Sequence, residues 1–287
     1  MSSTLIQVIA GGLLLGAVYA LFSSGLTLVW GMMNIINFAH GDFVMLGMYV
    51  AFVVWTVFGA GPWAGAPAAV LVLATLGIVV YFGLIREIMK GPMLAQILGT
   101  FGLALLLRYS VFWWFGANFL SLPGNLVGGT FDIMGLRIQA PRLLAGVAAL
   151  LVTYGLHLLL TRTSLGSKML AVAEDSTAAQ LMGIRPDTMQ AVAWAIAAGA
   201  TGLAGALIAT FFYIGPTVGE TLGIVAFVTV SLGGFGSIPG ALIAGLLIGV
   251  IESLSAYLLG PIYKDMVVYA LFLGFLWFRP QGLLGRT

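Results

Sequence analysis

Long apolar runs, separated by short polar or glycine-rich turns, fill almost the entire chain. A membrane-crossing helix needs about 20 mainly apolar residues, and runs of this kind recur along the sequence. We predict crossings at residues 5–30, 37–57, 68–85, 92–115, 143–160, 189–210, 241–258 and 266–278. The pattern therefore predicts an all-α polytopic membrane protein with about eight transmembrane helices, forming a single transmembrane domain over residues 1–287.

Glycine positions shape this predicted bundle. A break at 31–36 separates the first two crossings, and the run at 221–235 is only about 15 residues long, short for a crossing, and ends in SLGGFGSIPG. Backbone that leaves the helix at membrane depth is tolerated where it lies in protein or lines a water-filled cavity, so we predict broken or re-entrant segments at both places. Gly12 and Gly16 form a small-xxx-small pair that would let another helix approach closely.

Residues 118–141 have little membrane character. The stretch TFDIMGLRIQ alternates apolar and polar side chains on both sides of a turn at Met134 and Gly135. This is the pattern of two short strands joined by a turn. We predict a hairpin on the outer face.

Composition narrows the class to a membrane bundle. Hydrophobic residues make up 61% of the chain and charged residues 7%, against roughly 25% charged residues in an ordinary soluble domain. No water-soluble surface can be built from so few charges. The absence of cysteine excludes disulfides, thiolate metal sites and a cysteine nucleophile. A net charge of +2 is too small to indicate a nucleic-acid partner.

The distribution of Lys and Arg predicts the orientation, because these residues concentrate in short loops on the cytoplasmic side. The predicted topology, with the short run at 221–235 included, places seven of them on one face: Arg86, Lys90, Arg162, Lys168, Arg185, Arg279 and Arg286. The other face holds Arg137, Arg142 and Lys264. We therefore predict that the amino terminus lies outside and the carboxy terminus inside.

The residues that catalysis needs do not occur as a set. None of the three lysines stands in a G-x-x-x-x-G-K-[ST] phosphate loop, so we expect no ATP hydrolysis by this chain alone. The two histidines are far apart and not in an HExxH motif, which gives no zinc site. No combination of nucleophile, base and orienting group stands out. We predict a protein that is not an enzyme, with no catalytic residues, no metal site and no cofactor of its own.

Residues 25–49, GLTLVWGMMNIINFAHGDFVMLGMY, carry a polar cluster in an apolar setting. Asn34, Asn37, His40 and Asp42 would lie at membrane depth, where polar groups are costly unless they face protein or water. One interpretation is a lining or gate on a substrate path, with Asn37 and His40 on one helix face and Asp42 rotated away. The other is that Asn34 or Asn37 caps the second helix. Spacing alone leaves both open.

Three further polar side chains fall within predicted crossings. Glu252 is another substrate-pathway candidate, although a lone carboxylate near a membrane boundary is most simply hydrogen-bonded to a neighbouring helix. Arg108 must reach the interface or find a partner, and we interpret it as a structural anchor rather than a substrate clamp. His157 is interpreted as an interfacial residue rather than a ligand.

The charged loop at 161–187 contains a short amphipathic helix. Thr177 and Gln180 fit a T-x-x-Q capping box, and Gly183 supplies the stop. The residues that we assign to this helix are Glu174, Asp175, Thr177, Ala178, Ala179, Leu181, Met182 and Gly183. Its apolar side chains need a cover, which is either a cytoplasmic partner or the inner face of the bundle itself. Spacing favours neither.

Four motifs occur in order along almost the whole chain. They are NFAHGDFVMLGMYVA at 37–51, TRTSLGSKMLAVAEDSTAAQLMGI at 161–184, LGGFGSIPGALIAG at 232–245 and FRPQGLLG at 278–285. Together they resemble the permease subunits of branched-chain amino acid ABC importers. Asp42 stands where many members of that family carry Glu, which keeps the charge and shortens the side chain.

The resemblance implies a multi-pass subunit of an importer in the bacterial inner membrane, with a periplasmic amino terminus and a cytoplasmic carboxy terminus. Its partners would be a second homologous permease, two cytoplasmic ATPase subunits that hold ATP and Mg²⁺, and a periplasmic solute-binding protein. Membrane lipid would surround the bundle, and no nucleic acid is involved.

The resemblance also implies a mechanism. Residues 174–183 would be the coupling helix, seated in an ATPase groove, within a cytoplasmic coupling loop at 161–187. Closure of the ATPases would switch the bundle between outward-open and inward-open states. The cargo would be amino acids, branched-chain or related small amides and acids.

An alternative hypothesis is an ion- or proton-coupled secondary transporter that works without ATPase subunits. Ionisable residues at membrane depth motivate it, and Asp42, His40 or Glu252 would be the coupling site. Substrate accumulation on a proton gradient without ATP would favour this alternative.

Overall fold

The computed structural model describes residues 2–122, 128–133 and 136–285, and helices dominate them. In chain order the helices are α1 (Ser2–Met33), α2 (His40–Phe58), α3 (Pro62–Val80), α4 (Arg86–Ile88), α5 (Met93–Phe115), α6 (Ala140–Arg162), α7 (Ser164–Glu174), α8 (Ser176–Leu181), α9 (Pro186–Ile208), α10 (Val218–Gly233), α11 (Ile238–Leu258) and α12 (Lys264–Phe278). A π-helical turn, Tyr81–Ile85, joins α3 to α4, and a 3-10 turn, Pro261–Tyr263, precedes α12.

Within the described residues, eight helical segments are long and apolar enough to cross a membrane. Each predicted crossing overlaps one of them, which confirms a polytopic membrane protein. The helix α10 is shorter: its 16 residues rise about 24 Å at 1.5 Å per residue, less than the roughly 30 Å of a bilayer's hydrocarbon core. The predicted short element is therefore confirmed, and it begins at Val218 rather than at residue 221.

The predicted hairpin lies between α5 and α6. Its strands β1 (Thr130–Ile133) and β2 (Leu136–Gln139) pair antiparallel, whereas the predicted turn at Met134 and Gly135 lies outside the described residues. The Gln7 side chain of α1 donates a hydrogen bond to the Arg137 carbonyl oxygen at 3.0 Å. The hairpin and the start of α1 therefore share one end of the bundle, here called the hairpin end, and α7 and α8 lie at the loop end.

Helices α1 and α9 form the centre of the bundle through close contacts of small residues. The helix α9 packs on α1, α2 and α3, and a Cβ added to Gly47 of α2 would stand 2.8 Å from the Gly202 Cα of α9. In the same way, a Cβ on Gly12 of α1 would stand 2.7 Å from the Gly249 carbonyl oxygen of α11. The small residues let helix backbones approach closely, as predicted for the Gly12 and Gly16 pair.

The segment 34–39 interrupts the helices inside the bundle. At its end, His40 Nε2–H donates to the Phe22 carbonyl oxygen at 2.7 Å. Phe22 lies eleven residues before Met33, the last residue of α1, or about 16 Å along the helix axis at 1.5 Å per residue. The segment therefore runs back along α1, and α2 begins well inside the bundle. The predicted break is confirmed, but α2 begins at His40 instead of Asn37.

A second interruption joins α10 to α11, as predicted from its glycines. Gly234 and Gly236 have φ of 98° and 81°, in the left-handed region that favours glycine. The segment 279–285 folds back onto this turn. The Leu283 N–H donates to the Leu232 carbonyl at 2.8 Å and the Leu284 N–H to the Gly233 carbonyl at 3.0 Å, so they satisfy carbonyls at the end of α10 that have no partner in the helix. Arg286 lies outside the described residues.

Candidate functional site

Asn37 and His40, two members of the predicted polar cluster, are enclosed by protein. Each is 2% exposed. His40 is bound to the Phe22 carbonyl, and Asn37 Oδ1 accepts the Ala39 N–H at 3.1 Å. Asn37 precedes α2, so the two side chains do not share a helix face, and that part of the prediction is wrong. His40 fixes the end of the segment 34–39 against α1, and Asn37 stabilises the turn within the segment.

The predicted asparagine N-cap of α2 is also wrong. The N-cap residue is Ala39, which makes no side-chain cap, because the helix begins deeper in the bundle than the pattern suggested. Asn37 instead bonds the N–H two residues on, the turn-forming role that asparagine often takes.

Asn34 has a different environment at the loop end. Its φ is 52°, a left-handed value that asparagine tolerates better than most residues, and this conformation turns the chain back after α1. Asn34 and His157 line a cavity of about 480 Å³ between the end of α1, the end of α6, α7 and the turn before α11. Asn34 is therefore the one predicted cluster residue on an open surface among the described part of the chain.

Asp42 forms an ion triad, which we define as Asp42, Arg108 and Glu220. Arg108 of α5 donates Nε–H to Asp42 Oδ1 at 3.2 Å and Nη1–H to Glu220 Oε2 at 2.9 Å. The side-chain exposure rises across the triad, from 1% for Asp42 and 18% for Arg108 to 62% for Glu220. Arg108 thus has the partner that an arginine at this depth needs, and it ties α5 to α2 and α10.

The amino termini of α2 and α10 meet at this triad. A Cβ on Gly219 would stand 2.9 Å from the Asp42 Cα, so the two helix starts are in direct contact. Asp42 and Glu220 each occupy the first turn of their helix, where the partial positive charge of the helix end favours a carboxylate. The two helix ends and Arg108 together offset the two negative charges.

An exposed strip runs down α10 from the triad. We call it the α10 strip and define it by Glu220, Ile224 and Phe227, which lie four and seven residues apart on one helix face. Phe38 of the segment 34–39 packs on Phe227 with ring centroids 5.4 Å apart. An apolar groove of about 320 Å³ lies along the strip, and it reaches Phe235 near the loop end.

Glu252 belongs to a second, separate group. It is 6% exposed, accepts a hydrogen bond from the Tyr19 hydroxyl at 2.8 Å, and pairs with the Lys264 ammonium of α12. Its cavity of about 190 Å³ is lined by Val218 and Leu222 of α10, the face of that helix away from Asp42. The structure therefore does not bring Glu252 together with the rest of the predicted pathway residues.

The loop between α6 and α9 is anchored by α7. Met169 and Val172 of α7 are 1% and 3% exposed and pack in one cluster with Leu28 and Met32 of α1. Glu174 ends α7, exposed to solvent. This helix fixes the position of α8 relative to the centre of the bundle.

The helix α8 covers residues Ser176–Leu181, and its cap differs from the prediction. Asp175, not Thr177, is the N-cap: its Oδ1 accepts the Thr177 and Ala178 N–H groups at 2.8 and 2.9 Å. The predicted capping box is wrong because the helix begins at Ser176, so Thr177 lies in the first turn and donates its own N–H to the Asp175 carboxylate, which suits the positive helix end. The predicted stop at Gly183 is confirmed by its φ of 82°.

The faces of α8 differ in burial. Ala179 is 5% exposed and packs against the bundle, whereas Leu181 and Met182 are 84% and 82% exposed. Thr177, Ala178 and Gly183 are exposed as well. The helix therefore rests on the bundle through one side and presents two large apolar side chains on the other.

Comparison with known proteins identifies the family. Residues 8–276 match the model of the branched-chain amino acid transport system permease component. The chain belongs to this permease family. Its relatives include the high-affinity branched-chain amino acid transport system permease protein BraD of Pseudomonas aeruginosa, 34% identical over 98% of this chain and 96% of the relative. LivH of Escherichia coli K12, a permease protein of the same named system, is 32% identical over 98% and 96%.

A second permease protein of that E. coli system also resembles this chain. LivM is 28% identical over 94% of this chain and 68% of LivM. Among solved structures, PsaBC from Streptococcus pneumoniae in complex with Fab shares the fold, with a TM-score of 0.54 and 11% identity over 98% of this permease and 97% of that chain. The resemblance drawn from the four sequence motifs is confirmed.

Sequence reasoning missed Glu220 and the pairing of Arg108. The predicted short element began at residue 221 and so excluded Glu220 by one position. A usable signal was present: Glu220 is one of nine acidic residues in the chain and directly precedes an apolar run. Its partner Arg108 lies 112 residues earlier, a separation that no local pattern can bridge.

Proposed function

We propose that this chain is the transmembrane permease subunit of an ATP-driven ABC importer. The cargo is an amino acid, branched-chain or a related small amide or acid, and it moves into the cytoplasm by alternating access. Membership of the permease family supports the transport role. The observation that carries the ATP-driven part is α8, a short helix that is fixed to the bundle on one side and presents Leu181 and Met182 on the other.

The ATPase subunits dock on α8 in this proposal. Two cytoplasmic ATPases hold ATP and Mg²⁺, and this chain binds no cofactor itself. Large exposed apolar side chains on a surface helix outside the membrane favour a protein partner. The helix α7 precedes α8 and packs on Leu28 and Met32 of α1. A displacement of α8 is therefore passed through α7 to the central helix α1. Rigid elements of this kind transmit switching motions.

A second homologous permease and a periplasmic solute-binding protein complete the proposed importer. E. coli has two related proteins, LivH and LivM, both named permease proteins of one transport system, which supports pairing with a similar chain. The binding protein delivers the cargo at the hairpin end.

We propose the bacterial inner membrane as the location, with the amino terminus in the periplasm and the carboxy terminus in the cytoplasm. Among the described residues, the eight candidate spans together with the shorter α10, counted as a ninth pass, support free ends of the first and last helices on opposite sides. The excess of Lys and Arg at the loop end supports a cytoplasmic location for that end.

The alternative, a secondary transporter, is less well supported. Its coupling residues would be Asp42, His40 or Glu252. Each of these has a protein partner: Arg108, the Phe22 carbonyl and Lys264. The pairings account for polar groups at membrane depth without a transported ion.

The test of the proposal replaces the two exposed side chains of α8 by Leu181→Asp together with Met182→Asp. We expect the affinity-tagged chain to lose its ATPase subunits on purification, and amino acid uptake to fall at least about ten-fold, since central apolar anchors dominate interfaces. The matched control is Ile262→Asp, an 88% exposed side chain at the hairpin end, away from α8, which should leave the retention of the ATPases unchanged. Retention of the ATPases and full uptake by the double variant would contradict the docking role of α8.

A further inference from the structure

Glu220 exposes a carboxylate deep within the bundle. Its triad partner Asp42 follows His40 by two residues, and His40 is bound at the level of Phe22, about 16 Å from the loop end of α1 by helix rise. The Glu220 side chain is nevertheless 62% exposed. A charge at membrane depth faces a water-filled path or another protein, not lipid.

The exposed side of the triad has both a hydrogen-bond donor and a hydrogen-bond acceptor that are unused. A guanidinium has five N–H donors, and Arg108 uses two of them, on Asp42 and Glu220. Within the described ranges, its Nη2 makes no hydrogen bond, and Glu220 Oε1 accepts none. The free donor, Arg108 Nη2, and the free acceptor, Glu220 Oε1, therefore belong to the two partners of one ion pair.

The apolar α10 strip begins directly beside these groups. Ile224 is 44% exposed and lies one helical turn from Glu220, and Phe38 is 42% exposed. The groove along the strip, about 320 Å³, is at the lower end of the range for small-molecule sites, roughly 300–1,000 Å³. A charged point followed by an apolar groove complements a small molecule with charged groups at one end and a hydrocarbon side chain at the other.

We propose that Arg108 and Glu220 form a binding site for the charged backbone groups of an amino acid in transit. The cargo ammonium binds Glu220 Oε1, the cargo carboxylate binds Arg108 Nη2, and the cargo side chain lies along Ile224 and Phe227. Asp42 is a positioning residue, since it holds Arg108 through Nε. This site rests on the proposed function, because an amino acid cargo is assumed.

Charge and position favour the cargo over a permanent cover. Both a donor of Arg108 and an acceptor oxygen of Glu220 remain unused, which suits a molecule with a carboxylate and an ammonium, and broken helices whose amino termini meet inside a bundle are where transporters place their substrate sites. The other possible occupant is a side chain of the second permease. It would exclude water from the α10 strip, and the test below distinguishes this case.

The test measures the alkylation of Ile224→Cys by N-ethylmaleimide in membrane vesicles from the chain's own host. The chain has no cysteine, so the labelled position is unambiguous, and the reaction needs a hydrated thiolate. The control is Leu151→Cys, a 66% exposed side chain at the middle of α6. We expect Cys at 224 to react at least about ten-fold faster than Cys at 151, because only the first lies in water.

Leucine is the probe for the site. We expect leucine to slow the alkylation at 224 and to do so better than 4-methylpentanoate, which lacks the ammonium, or isopentylamine, which lacks the carboxylate. Adding Glu220→Gln should weaken the protection by leucine about ten- to a hundred-fold, as expected for a lost hydrogen bond to a charged group, with protection measured against the unprotected rate of the same double variant. Glu87→Gln, whose side chain is also 62% exposed, should keep full protection.

Three results would overturn the inference. Slow alkylation at both positions means that lipid or the second permease covers the strip. Fast alkylation without protection, or protection that survives Glu220→Gln, means that the cargo does not bind here. Uptake of leucine by the host through the unsubstituted chain is measured in parallel, so that a cargo other than an amino acid is recognised as a failure of the proposed function and not of the site alone.

Discussion

At the scale of single residues, the two carboxylates that are buried in the described part of the chain are both paired. Asp42 and Glu252 are 1% and 6% exposed, and each has a cation as partner, Arg108 and Lys264. A buried pair adds little stability compared with an apolar pair, but removal of one partner leaves an uncompensated charge and is strongly destabilising. These pairs therefore hold particular helices together, α5 to α2 and α12 to α11.

Arg108→Gln tests the first pair. The substitution leaves the buried Asp42 carboxylate without its cation, so we expect a loss of roughly 3–5 kcal/mol in the free energy of unfolding, seen as a lower thermal midpoint of the purified chain in detergent. Adding Asp42→Asn should restore part of that stability. Simple addition of the two single effects would show that the side chains do not interact.

Tyr19→Phe tests the second group. It removes the hydroxyl that donates to Glu252 at 2.8 Å, and a hydrogen bond to a charged group contributes about 1.5–3 kcal/mol. We expect a comparable drop in stability by thermal unfolding. Tyr257→Phe on α11, a 45% exposed side chain, is the control and should change the midpoint little; equal effects of both substitutions would count against the Glu252 contact.

The sequence identified several of these residues as notable, but it did not predict their partners. Asp42 and Arg108 were both recognisable from the sequence, because a charged side chain in an apolar run needs a partner or water. Their contact spans 66 residues of chain, and the Glu252 contact with Tyr19 spans 233. Local periodicity carries no information on contacts at such separations, so the composition of the site was only partly predictable.

At the scale of elements, glycine determines where helices break and where they touch. The breaks before α2 and after α10 were predictable, because glycine-rich runs interrupt long apolar segments. The start of α2 was not, since the backward course of 34–39 depends on the contact between His40 and Phe22. The cap of α8 was misassigned for a local reason: Asp175 and Thr177 both have side chains that can cap a helix, and the helix begins early enough for Thr177 to donate its own N–H to Asp175.

Gly47→Ala tests the tight contact between α2 and α9. The added methyl would stand 2.8 Å from the Gly202 Cα, so the helices must separate, at a cost of typically 1–3 kcal/mol. Thermal unfolding should show a lower midpoint. Gly155→Ala in α6 is the matched control, because nothing lies within 4 Å of its added Cβ, and replacing a helical glycine there should be neutral or stabilising. A Gly47→Ala chain as stable as the control would contradict the packing.

At the scale of the whole molecule, the architecture has two distinct ends. The hairpin end holds the two strands and the start of α1, and the loop end holds α7, α8 and the turn between α10 and α11. The triad lies between them, where α2 and α10 begin. The sequence predicted the fold class well because membrane helices are specified by composition over about 20 residues, a signal that needs no knowledge of distant contacts.

The orientation is testable with the two ends. Asp132→Cys in β1 and Ser176→Cys in α8 lie at the hairpin end and the loop end. We expect a membrane-impermeant maleimide to label the first in intact spheroplasts and the second only after permeabilisation, because the loop end carries the excess of Lys and Arg. The opposite pattern would invert the proposed topology.

The central claim is that this permease moves an amino acid by the energy of ATP on partner subunits. The most direct measurement is leucine accumulation by proteoliposomes that contain the complex purified through this chain, with its binding protein outside and ATP inside. We predict accumulation that requires enclosed ATP and persists when the proton gradient is collapsed by an uncoupler. Accumulation driven by a proton gradient in the absence of ATP would contradict the account.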